Sequence, residues 1–171
     1  ARRFSFDTET TGTDQMKAKL VGLSFSINKG AAWYVPVGHQ TGNQIDTNTV
    51  LTTLKPILES PDIHKTVHNA NYDVSVLENY SIMVSGVDFD TMIAAHLLGM
   101  RTLGLKNLAL EMLNIEMTPI KDLIGSGSKQ ISMDAVPIPK TTDYACADAD
   151  MTGRLRTLLE RQLIEQNLLE S

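Results

Sequence analysis

The sequence lacks what would make it secreted, membrane-bound or a general nucleic-acid binder. It has one cysteine, Cys146, so no intrachain disulfide can form, and an intracellular, reducing compartment is the expected setting. No run approaches the ~18 apolar residues that a membrane span needs. The N-terminus also lacks the charged-then-apolar pattern of a signal peptide, so neither membrane nor secretion is expected. Positive charge is scarce. A formal net charge of −5 argues against strong, general nucleic-acid binding, which is normally basic. It leaves room for an enzyme that holds nucleic acid briefly through bound cations. Internal repeats and low-complexity tracts are absent.

What is present is an ordinary globular composition. With 171 residues and 42% apolar content the chain can bury a core without disulfides or a structural metal, and residues 1–171 read as one domain. It opens on Ala1-Arg2-Arg3 and is strand-like by Phe4, which reads as a piece of a longer chain. Arg3–Asp7 has strand character. Leu20–Ile27 follows, with Val21, Leu23, Phe25 and Ile27 expected on one face and small residues on the other. After the turn Asn28-Lys29-Gly30, Ala32–Val37 completes an antiparallel meander. Thr47–Leu58 is helical, with Pro56 expected to kink or shorten it. Thr66–His68 and Val87–Phe89 are short strands, each leading into a helix, Asn71–Asn79 and Asp90–Leu98. Leu105–Leu113 is a further helix, 124–130 and 136–142 read as loops, and a long helix covers 142–167. A meander followed by alternating strands and helices implies an α/β fold with a mixed β-sheet flanked by helices.

Three acidic sites fall where packing calls for apolar residues. Asp7 and Glu9 stand two apart at the end of the first strand, so alternation turns both to one side. Asp73 shares a helical stripe with Val76, Leu77 and Tyr80. Asp148 shares one with Tyr144, Met151, Leu155, Leu158 and Leu159. Taken singly, such acids are ordinary strand ends, wet edges or caps. Together they come from three elements that can converge at one end of a sheet. Buried carboxylates need a partner. No Lys or Arg lies in these stripes, so divalent cations are expected between the acids, and all-oxygen ligation suits Mg²⁺ or Mn²⁺.

The same residues carry a family resemblance. Asp7-Thr8-Glu9, Asn69-Ala70-Asn71-Tyr72-Asp73 and Tyr144-Ala145-Cys146-Ala147-Asp148 resemble, in order and spacing, the three exonuclease motifs of the DEDD superfamily, tyrosine branch. Leu20-Val21-Gly22-Leu23-Ser24-Phe25, Phe89-Asp90-Thr91-Met92 and Ile124–Gln130 resemble the 3′→5′ proofreading exonuclease domain of family A DNA polymerases of the bacterial type. The resemblance spans essentially the whole chain and implies a ribonuclease H-like fold. It implies that Asp7, Glu9 and Asp148 hold a first metal, that Asp7 bridges to a second completed by Asp73, and that the ions sit ~4 Å apart astride the scissile phosphate. Tyr144 would orient the attacking water. Implied partners are a single-stranded DNA 3′ end and the polymerase domain of a parent chain, with substrate contacts at Thr8, Thr13, His68, Asn69, Arg101 and Lys129.

Some positions depart from the family pattern. Thr13 stands where a leucine wedge is common and Asn71 where lysine is common, and an aromatic is missing near Thr118-Pro119-Ile120. Chemistry is expected to be retained and grip to be weaker. His68 and Asp73 form a His-x-x-x-x-Asp, but in the second motif rather than the third, so His68 lines the pocket or packs. Asp90 reads as a helix N-cap, and Cys146 as packing. Two alternatives stand beside the exonuclease: a catalytically silent structural module of a polymerase, and a ribonuclease D-like RNA 3′-end trimming enzyme.

Overall fold

A computed structural model describes residues 2–169. Five strands, β1 (Arg3–Thr10), β2 (Leu20–Asn28), β3 (Ala31–Pro36), β4 (His64–Val67) and β5 (Val87–Asp90), form one sheet in the order β3-β2-β1-β4-β5. β1 to β3 are the expected antiparallel meander, and β4 and β5 extend it in parallel. The helices are α1 (Thr47–Leu58), α2 (Ala70–Glu78), α3 (Thr91–Leu97), α4 (Leu105–Leu113), α5 (Ile120–Ile124) and α6 (Ile138–Glu165). Phe6, Leu23 and Val67 pack with Val50, Leu58, Val76 and Leu77 of α1 and α2 on one side of the sheet. On the other side, Leu155, Leu159 and Leu163 of α6 pack with Phe89, Ala94, Ala95 and Leu108. This is the α/β sandwich that the element order implies.

The central strand sorts its side chains by parity. Phe6 enters the α1–α2 core, whereas the Ser5 hydroxyl donates to the Ala149 carbonyl of α6 at 2.7 Å. Asp7 and Glu9, in phase with Ser5, therefore face α6, and Thr8 faces α2. Asp90 does more than the N-cap role expected of it. Its carboxylate accepts from Met92 N at 2.9 Å in α3, and also from Asn69 N at 3.1 Å and Ala70 N at 2.7 Å where α2 begins. One side chain thus satisfies the orphan donors of two helix starts. Pro56 falls in the last turn of α1 and leaves the helix its full span.

Three local expectations are corrected. α6 starts at Ile138, not Thr142, because Pro139 lies in its first turn, where no backbone donor is needed; of the expected loop 136–142 only Val136 and Pro137 lie outside a helix. Val21 does not share a face with Leu23. β1 pairs Glu9 with Gly22 but Thr10 with Leu20, so Val21 is the extra residue of a bulge. The bulge resets the alternation: Leu20 joins Leu23, and Val21 packs on Met133, Val136 and Tyr144. Ile27, expected to face the core, is 54% exposed at the end of β2. No helix among the described residues is long and apolar enough to cross a membrane.

Candidate active site

Asp7, Glu9 and Asp148 converge as their positions predict: one ligand oxygen from each lies within 4.8 Å of the others. The strand supplies the first two through its alternation. α6 supplies Asp148 one turn beyond Tyr144, and both are buried. Asp73 approaches from the opposite layer at the end of β1. Its Oδ1 accepts the Thr8 backbone N–H at 3.0 Å and the Thr8 hydroxyl at 2.6 Å. Glu9 Oε1 is buried without a hydrogen-bond partner. A buried, unpartnered carboxylate oxygen beside two other acids fits a hard divalent cation.

Electrostatics say the same. Burial, then the Asp73, Glu9 and Asp148 carboxylates, hold the Asp7 pKa well above its ordinary range. Burial, then Asp148, does this to Glu9. Asp73 is pushed up to about 7 by burial, against the two Thr8 hydrogen bonds. Burial, then Asp148, Glu9 and Asp7, raises the Tyr144 phenol, so it stays protonated at neutral pH. It can orient a water but cannot act as a base.

A residue missed by sequence reasoning completes the group. Lys106, in the first turn of α4, places its ammonium 3.0 Å from the Tyr144 hydroxyl and 3.3 Å from Asp148 Oδ1. It also stands 4.4 Å from the Tyr144 ring centroid. No Lys or Arg lies in the acids' own stripes, as expected, but this cation reaches them from another helix. The signal lay in α4, where Lys106 sits beside Leu105 and one turn from Ala109, at the edge of a buried stripe.

The remaining candidates are scattered. Thr8 is buried with its hydroxyl on Asp73. His68 is half-buried, 2.8 Å through Nδ1 from the Thr91 hydroxyl, and burial lowers its pKa. Asn69 takes the left-handed conformation, φ 68°, before α2. Thr13, Arg101 and Lys129 are exposed, the last in a 3-10 turn, and none of the three is bonded to the acids. Cys146 is a half-buried free thiol, with its pKa raised by burial.

Sheet order, the crossing helix and the acid cluster define a nuclease of ribonuclease H-like architecture. The chain belongs to the 3′-5′ exonuclease family of DNA polymerase I, whose model matches residues 1–164. The DNA polymerase I of Chloroflexus aurantiacus is 46% identical over 164 residues, which is 95% of this chain and 17% of that protein. That of Pseudomonas aeruginosa is 38% identical over 170 residues, 95% of this chain and 19% of that protein. The chain thus spans under a fifth of these relatives. Among solved structures, Brucella melitensis NrnC superposes with a TM-score of 0.73 at 25% identity, covering 98% of this chain and 76% of that one. Pol1 of M. smegmatis, in complex with DNA primer-template and dNTP, has a TM-score of 0.71 at 20% identity, covering 95% of this chain and 24% of that one, and shows the shared fold.

Proposed function

We propose that this domain hydrolyses DNA phosphodiester bonds from the 3′ end, releases nucleoside 5′-monophosphates and proofreads for the polymerase of a longer chain. It does so with two divalent cations, Mg²⁺ or Mn²⁺. The observation that carries this reading is the Asp7–Glu9–Asp148 cluster, with oxygens within 4.8 Å and Glu9 Oε1 unpartnered. Four acids against the single charge of Lys106 are compatible with a folded site that takes up cations.

Asp7, Glu9 and Asp148 would hold one ion, and Asp7 with Asp73 the second. The cations supply charge neutralisation and Lewis acidity at the scissile phosphate. Thr8 fixes Asp73, and Asp90 fixes the start of the helix that carries it. Tyr144, kept protonated, orients the attacking water through its hydroxyl. Thr8, Thr13, His68, Asn69, Arg101 and Lys129 remain the proposed substrate contacts. A Brucella melitensis NrnC structure carries bound Mg²⁺, which supports the choice of metal.

The test is digestion of end-labelled single-stranded DNA with Mn²⁺ or EDTA, by the wild type and by Asp7→Ala. A parallel RNA arm tests the ribonuclease D-like alternative. A 3′-end ladder that disappears in EDTA and in Asp7→Ala is expected. Cleavage persisting in EDTA, or internal cuts, would overturn the reading, and preference for RNA would reassign the substrate.

A further inference from the structure

Lys106 bonds two functional groups at once, and its chemistry fixes the polarity of both contacts. An ammonium only donates. At 3.0 Å the Tyr144 oxygen must therefore accept, and at 3.3 Å so must Asp148 Oδ1. The phenol's own hydrogen is thereby turned away from Lys106. Among the described residues the Tyr144 hydroxyl makes no other hydrogen bond, so this O–H is free to donate. The stacking of the ammonium 4.4 Å from the ring centroid restrains the phenol further. The Lys106 side chain is only 29% exposed, enough to enter the site but not to be a solvated surface charge.

We propose that Lys106 is a positioning residue of the exonuclease reaction: it ties the Tyr144 hydroxyl to Asp148 and points the phenol proton at the nucleophilic water. This assignment rests on the two-cation reading above. It has a second consequence. A fixed positive charge on Asp148 opposes a divalent cation at the same carboxylate, so Lys106 lowers metal affinity while raising turnover. A lysine that merely packed α4 against α6 would do neither.

The experiment measures kcat and KM on single-stranded DNA, Mn²⁺ affinity by isothermal titration calorimetry, and thermal stability. The proteins are wild type, Lys106→Met, Lys106→Gln, Tyr144→Phe and the double variant Lys106→Met/Tyr144→Phe. Lys106→Met keeps the apolar stem. It should lower kcat about 10- to 100-fold, the worth of a charge-assisted hydrogen bond, with KM moving less than about threefold. In the Tyr144→Phe background the same change should cost almost nothing further, because the group it positions is gone. Mn²⁺ should bind Lys106→Met at least about threefold more tightly than wild type. Lys106→Gln, which restores a donor without the charge, should recover part of kcat and keep the tighter Mn²⁺ binding. Wild-type kcat in Lys106→Met, losses that multiply with Tyr144→Phe, or weaker Mn²⁺ binding in a variant that melts like wild type would each overturn the assignment. A wild type that does not cut DNA fails the exonuclease reading itself and takes this assignment with it. That result is visible before any variant is compared.

Discussion

Asp73→Asn isolates the stability that the fold gives up to keep its acids. Asp73 is 2% exposed, and its Oδ1 receives both Thr8 donors. Raising a carboxyl from 3.8 to about 7 removes ~4 kcal/mol of folding free energy near pH 8, at ~1.4 kcal/mol per pKa unit. Asparagine offers the same Oδ1 to Thr8 without charge, but its buried amide N–H groups are left short of acceptors, at ~1–3 kcal/mol. The net gain is ~1–3 kcal/mol, a rise in Tm of roughly 3–10 °C for a chain of this size. The sign follows from the direction of the shift. The folded state holds a proton that the unfolded chain releases, so wild type loses stability as pH rises from its ordinary 3.8 through about 7. The asparagine variant does not, and its advantage should fade as the pH is lowered towards about 4. Thermal melts of both proteins in EDTA, from about pH 8 down to about pH 4.5, measure this. Millimolar Mn²⁺ should then narrow the gap, since the second ion, which Asp73 would help hold and the variant would lose, adds ~2.7 kcal/mol to the folded wild type at a hundredfold excess over its Kd. Equal melting at pH 8, or a gap that ignores pH, would refute the reasoning.

Tyr144→Phe should slow cleavage about 10- to 100-fold yet keep the Mn²⁺-induced rise in Tm, because it removes an orienting hydroxyl and no ligand. Gly22→Ala should destabilise by ~1–3 kcal/mol in a denaturant melt: the added methyl runs into the Tyr34 phenol and breaks its 2.8 Å hydrogen bond to His39. Arg156→Met should cost ~2–4 kcal/mol, since it strips the buried guanidinium from Asp88, held at 2.6 and 3.0 Å, and from Glu160. The loss should shrink in acid, where Asp88 is protonated. That carboxyl, although raised by partial burial, is drawn below its ordinary range mainly by Arg156, so its pair stabilises above pH ~4 and fades below it.

The acids were legible because a carboxylate in an apolar stripe breaks a strong pattern. Asp73 and Asp148 each share a helix face with Leu or Val, and Asp7 and Glu9 fall in phase on one strand. Lys106 was not legible, since a lysine at the edge of a helix stripe is an everyday surface residue until the tertiary fold turns that edge inward. It serves Asp148 and Tyr144 from 42 and 38 residues away in sequence, beyond any local periodicity. The bulge at Val21 escaped for the same reason, because its cause is the pairing of Glu9 and Thr10 on another strand. α6 starts four residues before its expected position because a proline, a breaker in a helix interior, is at home in a first turn. The five-residue α5 is shorter than two helical turns and leaves no periodic signature.

The crossing of α6 over β1 has a consequence for how the chain reaches its native state. The Ser5 hydroxyl and the Ala149 carbonyl that seal this contact lie 144 residues apart. Loops of that span close slowly, and during synthesis the closing helix emerges after every strand it covers. Until it docks, one face of the sheet and Phe89, Leu155, Leu159 and Leu163 lack their cover. Asp7 and Glu9 meanwhile have neither Asp148 to repel them nor Lys106 held in place beside them. The acid cluster is therefore complete only once α6 docks, and a chain truncated before α6 leaves that face of the sheet open and lacks Tyr144 and Asp148.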